Sequence, residues 1–319
     1  MIKKNVLGCI GQTNLIYLER LSNKYKNNIY MKDESTNPFG SIKDRAALNM
    51  INKAMEDGLI NKDTIIIEAT SGNTGIGLCG VCAYYKLKCI IVMPENASVE
   101  RIKIMKAYKA EVKLTKAELG MQGSIELANR IKSENPNSFM AEQFVNENNY
   151  MAHFYSTARE IESDLKEDNK DIDYIFAGIG TSGTITGIGK YFKENNLNTK
   201  IIGIEPFESA VINGHEKGAH GIDGIGAGFI PKIYKEEYID DVVMVKTSDA
   251  LQAIDEIMDE EGLFVGTSTG GCFKGLVNYI NENSITNKTI VFISPDSGIK
   301  YLSKRWINEK YKWDCWKAK

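Results

Sequence analysis

One lysine near the start of the chain lies where its amine could become reactive. In NPFGSIKDRAALNMI (37–51), turn-forming residues precede Ser41, which can cap a helix. Lys43 then falls in the first helical turn, where the helix dipole disfavours a cation. Two interpretations fit this position. Either the lysine is solvated and paired with Asp44 or Glu34, or its pKa is lowered so that it forms a Schiff base with a carbonyl cofactor.

Two glycine-rich loops have the composition of anion-binding sites. TIIIEA (64–69) leads into TSGNTG (70–75), and DYIFAGIG (173–180) leads into GIGTSGTITG (178–187). Each would place backbone N–H groups at the amino terminus of a helix, where an anion is favoured. Both loops would lie at the carboxyl edge of a parallel sheet, where open α/β sheets bind ligands. Glycines that only form turns would also explain either loop taken singly.

The second loop contains a pattern that is typical of dinucleotide binding. Gly178, Gly180 and Gly183 form G-x-G-x-x-G after a predicted strand, and Glu205 follows at the spacing of a ribose-binding acid. An NAD-dependent oxidoreductase is therefore one alternative. The pattern usually occurs in the first βαβ unit of a domain, whereas here it begins after residue 170.

The cysteines and histidines do not have the spacing of a metal site. Cys79 and Cys82 form a single C-x-x-C inside an apolar segment, with no second pair and no nearby histidine, so buried thiols are favoured over zinc or redox chemistry. His153, His215 and His220 are too scattered to act together. We therefore expect no metal. The six cysteines have irregular spacings, which argues against a disulfide framework and favours the cytoplasm.

Short apolar segments alternate with helix-like segments over most of the chain, which predicts an α/β fold with parallel strands covered on both faces. The predicted strands are 64–69, 88–94, 111–115, 173–180, 200–206 and 288–295. Residues 214–231 are rich in glycine and lack periodicity, which predicts a long loop. Loops of that length in compact domains tend to be functional.

Composition excludes several classes of protein. The 319 residues include 39 Lys and Arg against 42 Asp and Glu, a formal net charge of −3. Nucleic-acid binding through phosphate neutralisation would need a basic excess, so we expect no nucleic-acid partner. No segment approaches the roughly 20 apolar residues that cross a bilayer, so we expect no membrane partner.

Taken together, the motifs resemble the cysteine synthase and cystathionine β-synthase family, the fold type II or β-family of pyridoxal-phosphate (PLP) enzymes. The resemblance runs from GQTNLIYLERL (11–21) to SPDSGIKYLSK (294–304). The motifs that carry it, in the family's order, are NPFGSIKDR, TSGNTG, EQFVNENNYMAH, GIGTSGTITG, GIDGIGAGFIP, GTSTGG and SPDSG. This ordered set favours a PLP enzyme over the oxidoreductase.

The resemblance implies two open, mostly parallel twisted sheets with flanking helices and an active site between two domains. The smaller, mobile domain would comprise 42–148 and carry TSGNTG. The larger domain, 1–41 plus 149–319, would bind the phosphate of the cofactor. Family members are usually homodimers, so we expect one here.

Roles for individual residues follow from the same resemblance. Lys43 would hold pyridoxal 5'-phosphate covalently and act as the base at Cα, Asn73 would hydrogen-bond the ring hydroxyl, and Ser268 would meet the pyridine nitrogen. The groups implied for the substrate carboxylate are Thr70, Ser71, Thr74 and Gln143. The groups implied for the phosphate are Gly180, Thr181, Ser182, Gly183 and Thr184.

The implied reaction is β-replacement or β-elimination on a cysteine- or serine-type amino acid through an aminoacrylate. Sulfide is a substrate or a product, as in cysteine synthesis or in the conversion of cysteine and water to serine and hydrogen sulfide. Formation of cystathionine or lanthionine is the alternative within the family.

Two departures from the family pattern bear on the substrate. Asp223, in GIDGIGAGFIP, occupies a position where many O-acetylserine-using members have glutamine and cystathionine β-synthases have glutamate. Its carboxylate could serve hydroxyl and water chemistry, as a catalytic group, or it could cap its own loop. Ala158 and Arg159 replace a common Gly-Pro.

Overall fold

The computed structural model describes residues 2–304 and Ile307, and these form two separate sheets. The larger sheet has the strand order β1-β2-β10-β7-β8-β9, and the smaller has the order β5-β4-β3-β6. The strands are β1 (Leu15–Tyr17), β2 (Asn28–Asp33), β3 (Ile65–Ala69), β4 (Lys88–Pro94), β5 (Glu111–Thr115), β6 (Ser138–Met140), β7 (Tyr174–Gly178), β8 (Lys200–Pro206), β9 (Asp241–Val245) and β10 (Thr289–Ser294). All neighbouring strands are parallel except β1 and β2.

Helices connect and cover the strands. They are α1 (Glu19–Tyr25), α2 (Lys43–Glu56), α3 (Asn73–Tyr85), α4 (Val99–Ala107), α5 (Gly120–Glu134), α6 (Asn148–Ala152), α7 (Ala158–Glu167), α8 (Gly183–Glu194), α9 (Thr247–Glu261) and α10 (Thr267–Glu282). A π-helical segment, His153–Thr157, joins α6 to α7. Short 3-10 turns occupy Leu7–Cys9, Glu34–Thr36, Ala117–Leu119, Phe207–Ser209, Glu236–Tyr238 and Gly298–Tyr301.

Both faces of each sheet are buried, as the uninterrupted apolar strands predict. In β10, Val291 packs in one hydrophobic cluster and its neighbour Phe292 in another. In β3, Ile66 and Ile67 divide between two further clusters in the same way. Adjacent residues of a strand point to opposite faces, so this division shows a core on each side of each sheet.

The α/β prediction is confirmed, and each of the six predicted strands is present. The prediction was incomplete, because it omitted β1, β2, β6 and β9. Two of these have only three residues, and β9 lies at the sheet edge. β2 contains Lys32, which is fully buried because Glu160 and Asp164 pair with it at 3.1 and 3.3 Å. The predicted loop at 214–231 contains no helix or strand.

The predicted burial of Cys79 and Cys82 is confirmed, and the Sγ atom of Cys79 lies 4.0 Å from that of Cys89. Cys315 lies outside the described residues. Across the described residues, no three His, Cys, Asp or Glu side chains are grouped to bind a metal ion. Every helix in the same part of the chain is too short or too polar to span a bilayer.

Candidate active site

A cavity of about 320 Å³ collects residues from both sheets and from the loops that follow their strands. The side that belongs to the smaller sheet contributes Thr70, Ser71, Gly72, Asn73, Thr74, Arg101, Met121, Ile125, Gln143 and Phe144. The opposite side contributes Ala177, Gly178, Gly180, Thr181, Ser182, Gly183, Thr184, Asp223, Gly224, Ile225, Gly226, Ala227, Phe229, Ser268, Ile293, Pro295 and Tyr301. Ile42 and Lys43 complete the lining. All predicted site residues therefore lie around one cavity.

Lys43 is the first residue of α2, and it lines this cavity. The carboxylate of Asp44 accepts the N–H of Phe39 at 2.7 Å, and Glu34 pairs with Arg45, so within the described residues neither acid pairs with Lys43. The interpretation of a solvated, paired lysine is wrong. Burial lowers the pKa of Lys43 to about 8, against the opposing effect of the Asp296 carboxylate. A larger neutral fraction near pH 7 makes this amine more nucleophilic than an ordinary lysine.

The TSGNTG loop connects β3 to α3, and a hydrogen bond links it to a distant part of the chain. The hydroxyl of Thr74 donates to Oε1 of Gln143 at 2.6 Å. Beneath them the carboxylate of Glu68 accepts the backbone N–H groups of Glu142 and Gln143, at 2.8 and 3.4 Å. Burial raises the pKa of Glu68 to about 7. Glu68 thus holds Gln143 beside the loop, a role that sequence reasoning missed.

The amide of Asn73 is held between a cation and a carboxylate. Its Nδ2 donates to Asp296 at 2.7 Å, and its Oδ1 accepts from Lys300 at 3.0 Å. The hydroxyl of Tyr301 also donates to Asp296, at 2.8 Å. These partners lie more than 220 residues away in the chain, so sequence spacing offered no signal for them.

The second loop, Gly180–Thr184, passes from β7 to the amino terminus of α8. Gly180 lies so close to the 214–231 loop that a Cβ atom there would be 2.2 Å from the carbonyl oxygen of Gly224. Ser182 adopts a left-handed conformation with φ +66° and precedes the first residue of α8. Thr181 and Thr184 are buried beside the same helix terminus. Backbone N–H groups and hydroxyls therefore converge on one end of the cavity.

These groups fit the chemical parts of pyridoxal phosphate. A helix amino terminus with adjacent hydroxyls suits its phosphate. An amine of lowered pKa suits its aldehyde. The hydroxyl of Ser268, at the start of α10, lines the cavity and has no hydrogen-bond partner among the described residues. Such a group is available to a ring nitrogen.

Glu205 does not act as a ribose-binding acid in this structure. It is buried at the end of β8 and accepts the backbone N–H groups of Ile212 and Asn213 at 3.1 and 2.9 Å. Its carboxylate is committed to shaping the next loop and does not line the cavity. The geometry therefore gives no support to the dinucleotide alternative.

Asp223 lines the cavity with its carboxylate between two cations. Oδ2 lies 3.1 Å from Nζ of Lys304, and Oδ1 lies 4.0 Å from Nη1 of Arg101. The backbone N–H of Asp223 donates to Oγ1 of Thr267 at 2.9 Å. Arg101 also donates to the carbonyl oxygen of Ser71 at 3.2 Å, which ties α4 to the TSGNTG loop. No motif in the sequence had indicated Arg101.

The departure at Ala158 and Arg159 lies outside this cavity. Ala158 is buried, and the guanidinium of Arg159 lies over the rings of Tyr155 and Tyr191 at 5.7 and 5.8 Å from their centroids. Neither residue lines the cavity.

A lysine of lowered pKa and a helix amino terminus with adjacent hydroxyls line one cavity between two mostly parallel sheets. This arrangement defines a cofactor-dependent enzyme with a reactive amine. The chain belongs to the pyridoxal-phosphate dependent enzyme family, whose model matches residues 6–296.

Its relatives place it more narrowly. It is 43% identical over 302 residues to cysteine synthase B of Campylobacter jejuni, covering 95% of this chain and 98% of that one. A cysteine synthase structure from Entamoeba histolytica superposes with a TM-score of 0.91 at 41% identity, covering 95% and 90% of the two chains. A hydrogen sulfide-producing enzyme from Fusobacterium nucleatum gives 0.89 at 42% identity, covering 94% and 100%. The protein is thus a PLP-dependent β-replacing enzyme of the cysteine synthase type.

Proposed function

We propose that this enzyme converts cysteine and water to serine and hydrogen sulfide, as one form of β-replacement on cysteine- or serine-type amino acids. The C–S bond at Cβ breaks, and a C–O bond to the oxygen of water forms. Sulfur leaves as hydrogen sulfide, with the proton of the thiol and one proton of the water. The observation that carries the proposal is the Asp223 carboxylate, which lines the same cavity as the Lys43 amine. The hydrogen sulfide-producing relative supports the same chemistry.

The cofactor supplies an aldehyde for the amino group of the substrate and an electron-accepting ring. Lys43 would bind it covalently, Asn73 would donate to the ring hydroxyl, and Ser268 would meet the ring nitrogen. The phosphate would be held by Gly180, Thr181, Ser182, Gly183 and Thr184. A serine hydroxyl, unlike a carboxylate, does not enforce protonation of the ring nitrogen, which favours loss of a β-substituent over transfer of the amino group.

The substrate carboxylate would bind at the amino terminus of α3. The groups proposed for it are Thr70, Ser71, Thr74 and Gln143. Because the hydroxyl of Thr74 already donates to Oε1 of Gln143, Thr74 would contribute its backbone N–H at the helix terminus. The same hydrogen bond supports the assignment by joining the two segments into one surface.

Lys43 would also move the proton. The free Nζ would accept the proton from Cα of the bound amino acid. A pKa of about 8 leaves part of the amine neutral near pH 7 and keeps the protonated form able to return the proton.

Asp223 would accept a proton from the water that adds to Cβ. Lys304 and Arg101 flank the carboxylate and restrain its position. These ion pairs support a catalytic orientation over a role in capping its own loop, because the carboxylate pairs outside the loop.

The domain division belongs to the same proposal. Residues 42–148 include every strand of the smaller sheet and would move over the substrate, whereas 1–41 and 149–319 would remain with the phosphate. We also propose a cytoplasmic homodimer, as expected from the family.

The test is incubation of the purified holoenzyme with cysteine alone, followed by assays for sulfide and serine in equal amounts. Lanthionine in place of serine would show that a second thiol, and not water, is the nucleophile. Activity only with O-acetylserine and sulfide would establish cysteine synthesis and refute the proposed direction.

The role of Asp223 is tested by Asp223→Asn, which keeps the shape and removes the proton acceptor. Serine formation from cysteine should fall by at least 100-fold, within the range that general-base catalysis contributes. The exposed Asp259→Asn serves as the matched control and should retain wild-type rates. Unchanged serine formation in Asp223→Asn would refute the assignment.

A further inference from the structure

Two buried side chains that do not line the cavity contact the hydroxyls of the phosphate loop. Asn149 lies on α6, and His153 begins the π-helical segment that follows it. Both are almost completely shielded from solvent. π-helical turns are rare and occur frequently at functional sites, so the position of His153 invites a functional explanation.

The contact made by Asn149 fixes the direction of one hydroxyl. Its Nδ2 donates to the backbone carbonyl of Gln143 at 2.8 Å, an atom that can only accept, so the orientation of the amide is determined. The same Nδ2 donates to Oγ1 of Thr181 at 3.0 Å, and the N–H of Gly183 approaches that oxygen at 3.4 Å. Because Oγ1 already accepts from the protein, the proton of Thr181 is free to point into the cavity.

His153 contacts a threonine on each side. Its Nδ1 lies 2.9 Å from Oγ1 of Thr157, and its Nε2 lies 3.4 Å from Oγ1 of Thr184. Burial, with the cations of Lys43 and Arg45 nearby, lowers the pKa of His153 well below its ordinary value, against the opposing effect of Glu160. A neutral imidazole has one donor nitrogen and one acceptor nitrogen.

Only one of the two tautomers suits an anion bound at the Gly180–Thr184 loop. With the proton on Nε2, the ring accepts from Thr157 and donates to Thr184, whose own O–H can then donate into the cavity. With the proton on Nδ1, the hydroxyl of Thr184 must donate its only proton to Nε2 of the ring. Its lone pairs would then face the anion, and that contact is repulsive.

We infer that Asn149 and His153 are positioning residues that aim the hydroxyl protons of Thr181 and Thr184 at the cofactor phosphate. This inference rests on the proposed binding of that phosphate by the Gly180–Thr184 loop.

Close packing prevents this layer from moving away from the loop. A Cβ atom at Gly183 would lie 2.1 Å from Oδ1 of Asn149. One at Gly187 would lie 2.1 Å from the carbonyl oxygen of Tyr150 and 2.8 Å from Cβ of His153. Helix α8 therefore packs directly against the segment that carries both residues. This packing fixes the distances from the Asn149 and His153 side chains to the two hydroxyls.

The tautomer can be read from 15N spectra of holoenzyme labelled at histidine, because the chain has only three histidines. His220 provides an internal reference, since its Nδ1 accepts from the N–H of Ile222 and its Nε2 faces the carbonyl of Gly226. We expect His153 to be neutral with the proton on Nε2. A ring with its only proton on Nδ1 would overturn the inference, because Thr184 would then have to donate to Nε2.

A second measurement separates positioning from structural support. His153→Gln keeps a donor near the place of Nε2, and His153→Asn does not reach it. Affinities of the full-length apoenzymes for pyridoxal phosphate and for pyridoxal, which lacks the phosphate, are compared. We expect His153→Asn to lower the preference for the phosphorylated form by about tenfold, and His153→Gln to restore most of it.

The outcomes distinguish the inference from the proposed function. Equal weakening of both ligands in His153→Asn, or an unchanged preference, would reduce His153 to a structural role. If the wild-type protein binds no pyridoxal phosphate, the proposed function fails, while the same 15N spectra recorded on the cofactor-free protein still test the direction of the hydrogen bonds.

Discussion

Replacing Gly180 by alanine tests how closely two loops approach at the phosphate end of the cavity. The added Cβ atom would lie 2.2 Å from the carbonyl oxygen of Gly224, whereas ordinary van der Waals contact begins at 3.4 Å. The two backbones must therefore separate by about 1.2 Å, the difference between these two distances, to restore ordinary contact. A hydrogen bond of about 2.9 Å that lengthens by this amount is lost.

The size of the effect follows from the absence of a flexible neighbour at this contact. Overpacking costs about 1–3 kcal/mol, and the upper end applies because the Cβ is fixed to one backbone and the atom it meets belongs to another. An unfolding entropy of roughly 2.1 cal/mol/K per residue gives about 0.67 kcal/mol/K for 319 residues, so a loss of about 3 kcal/mol lowers Tm by about 4 °C. Losing one charge-assisted hydrogen bond should weaken cofactor binding at least tenfold.

Gly72→Ala is the matched control, because it lies in the other glycine-rich loop and its Cβ would meet no atom within 4 Å. Thermal unfolding of both variants, and cofactor retained per chain after dialysis, are the measurements. Gly72→Ala should unfold within about 1 °C of the wild type and keep its cofactor. If Gly180→Ala behaves like Gly72→Ala in both assays, the close approach of the two loops does not determine the conformation of the Gly180–Thr184 loop.

Three further predictions concern buried charges. Because the pKa of Glu68 is raised from 4.5 to about 7, the folded chain keeps a proton that the unfolded chain has lost between those values. Wild-type stability should therefore fall relative to Glu68→Gln by up to about 3 kcal/mol between pH 5 and 8 in urea titrations, and a constant difference would contradict this. Asp296→Asn removes an anion that raises the pKa of Lys43, so the pH midpoint for condensation of the apoenzyme with pyridoxal should move to lower pH; a move to higher pH would contradict the assignment. The Nε of Arg45 lies 2.7 Å from the buried carboxylate of Glu34, so Arg45→Met leaves that carboxylate without its cation. The free energy of unfolding in chemical denaturation should fall by about 3–5 kcal/mol, and adding Glu34→Gln should restore part of it. An equal loss in the double variant would argue against the buried pair.

Local patterns in the chain were sufficient to predict much of this fold. Uninterrupted apolar strands followed by helices indicated parallel sheets, and glycine-rich loops after two of those strands indicated ligand-binding edges. These signals work because a strand, its loop and the next helix are adjacent in sequence. The same reasoning failed for β2, where the buried Lys32 interrupts the apolar pattern and is stabilised by carboxylates more than 125 residues away.

The chemistry of Lys43 could not be decided by its neighbours in sequence. Asp44 and Glu34 were available as partners, and only the folded chain shows that both carboxylates are engaged elsewhere. The pattern around Gly180 likewise allowed a dinucleotide. The structure shows instead that Glu205 accepts backbone N–H groups from the loop that follows its strand. Physical reasoning alone had allowed both a Schiff-base enzyme and an NAD-dependent oxidoreductase. The resemblance to a known family indicated the correct class of enzyme.

Sequence alone thus determined which segments become strands, helices and anion-binding loops, since these depend on interactions between near neighbours. Tertiary structure decided which of those loops meet, and which polar groups support them. The contacts of Thr74 with Gln143, of Asn73 with Asp296 and of His153 with Thr184 each join separate segments. Their distances are set by the packing of two sheets around one cavity, and no local pattern encodes that packing.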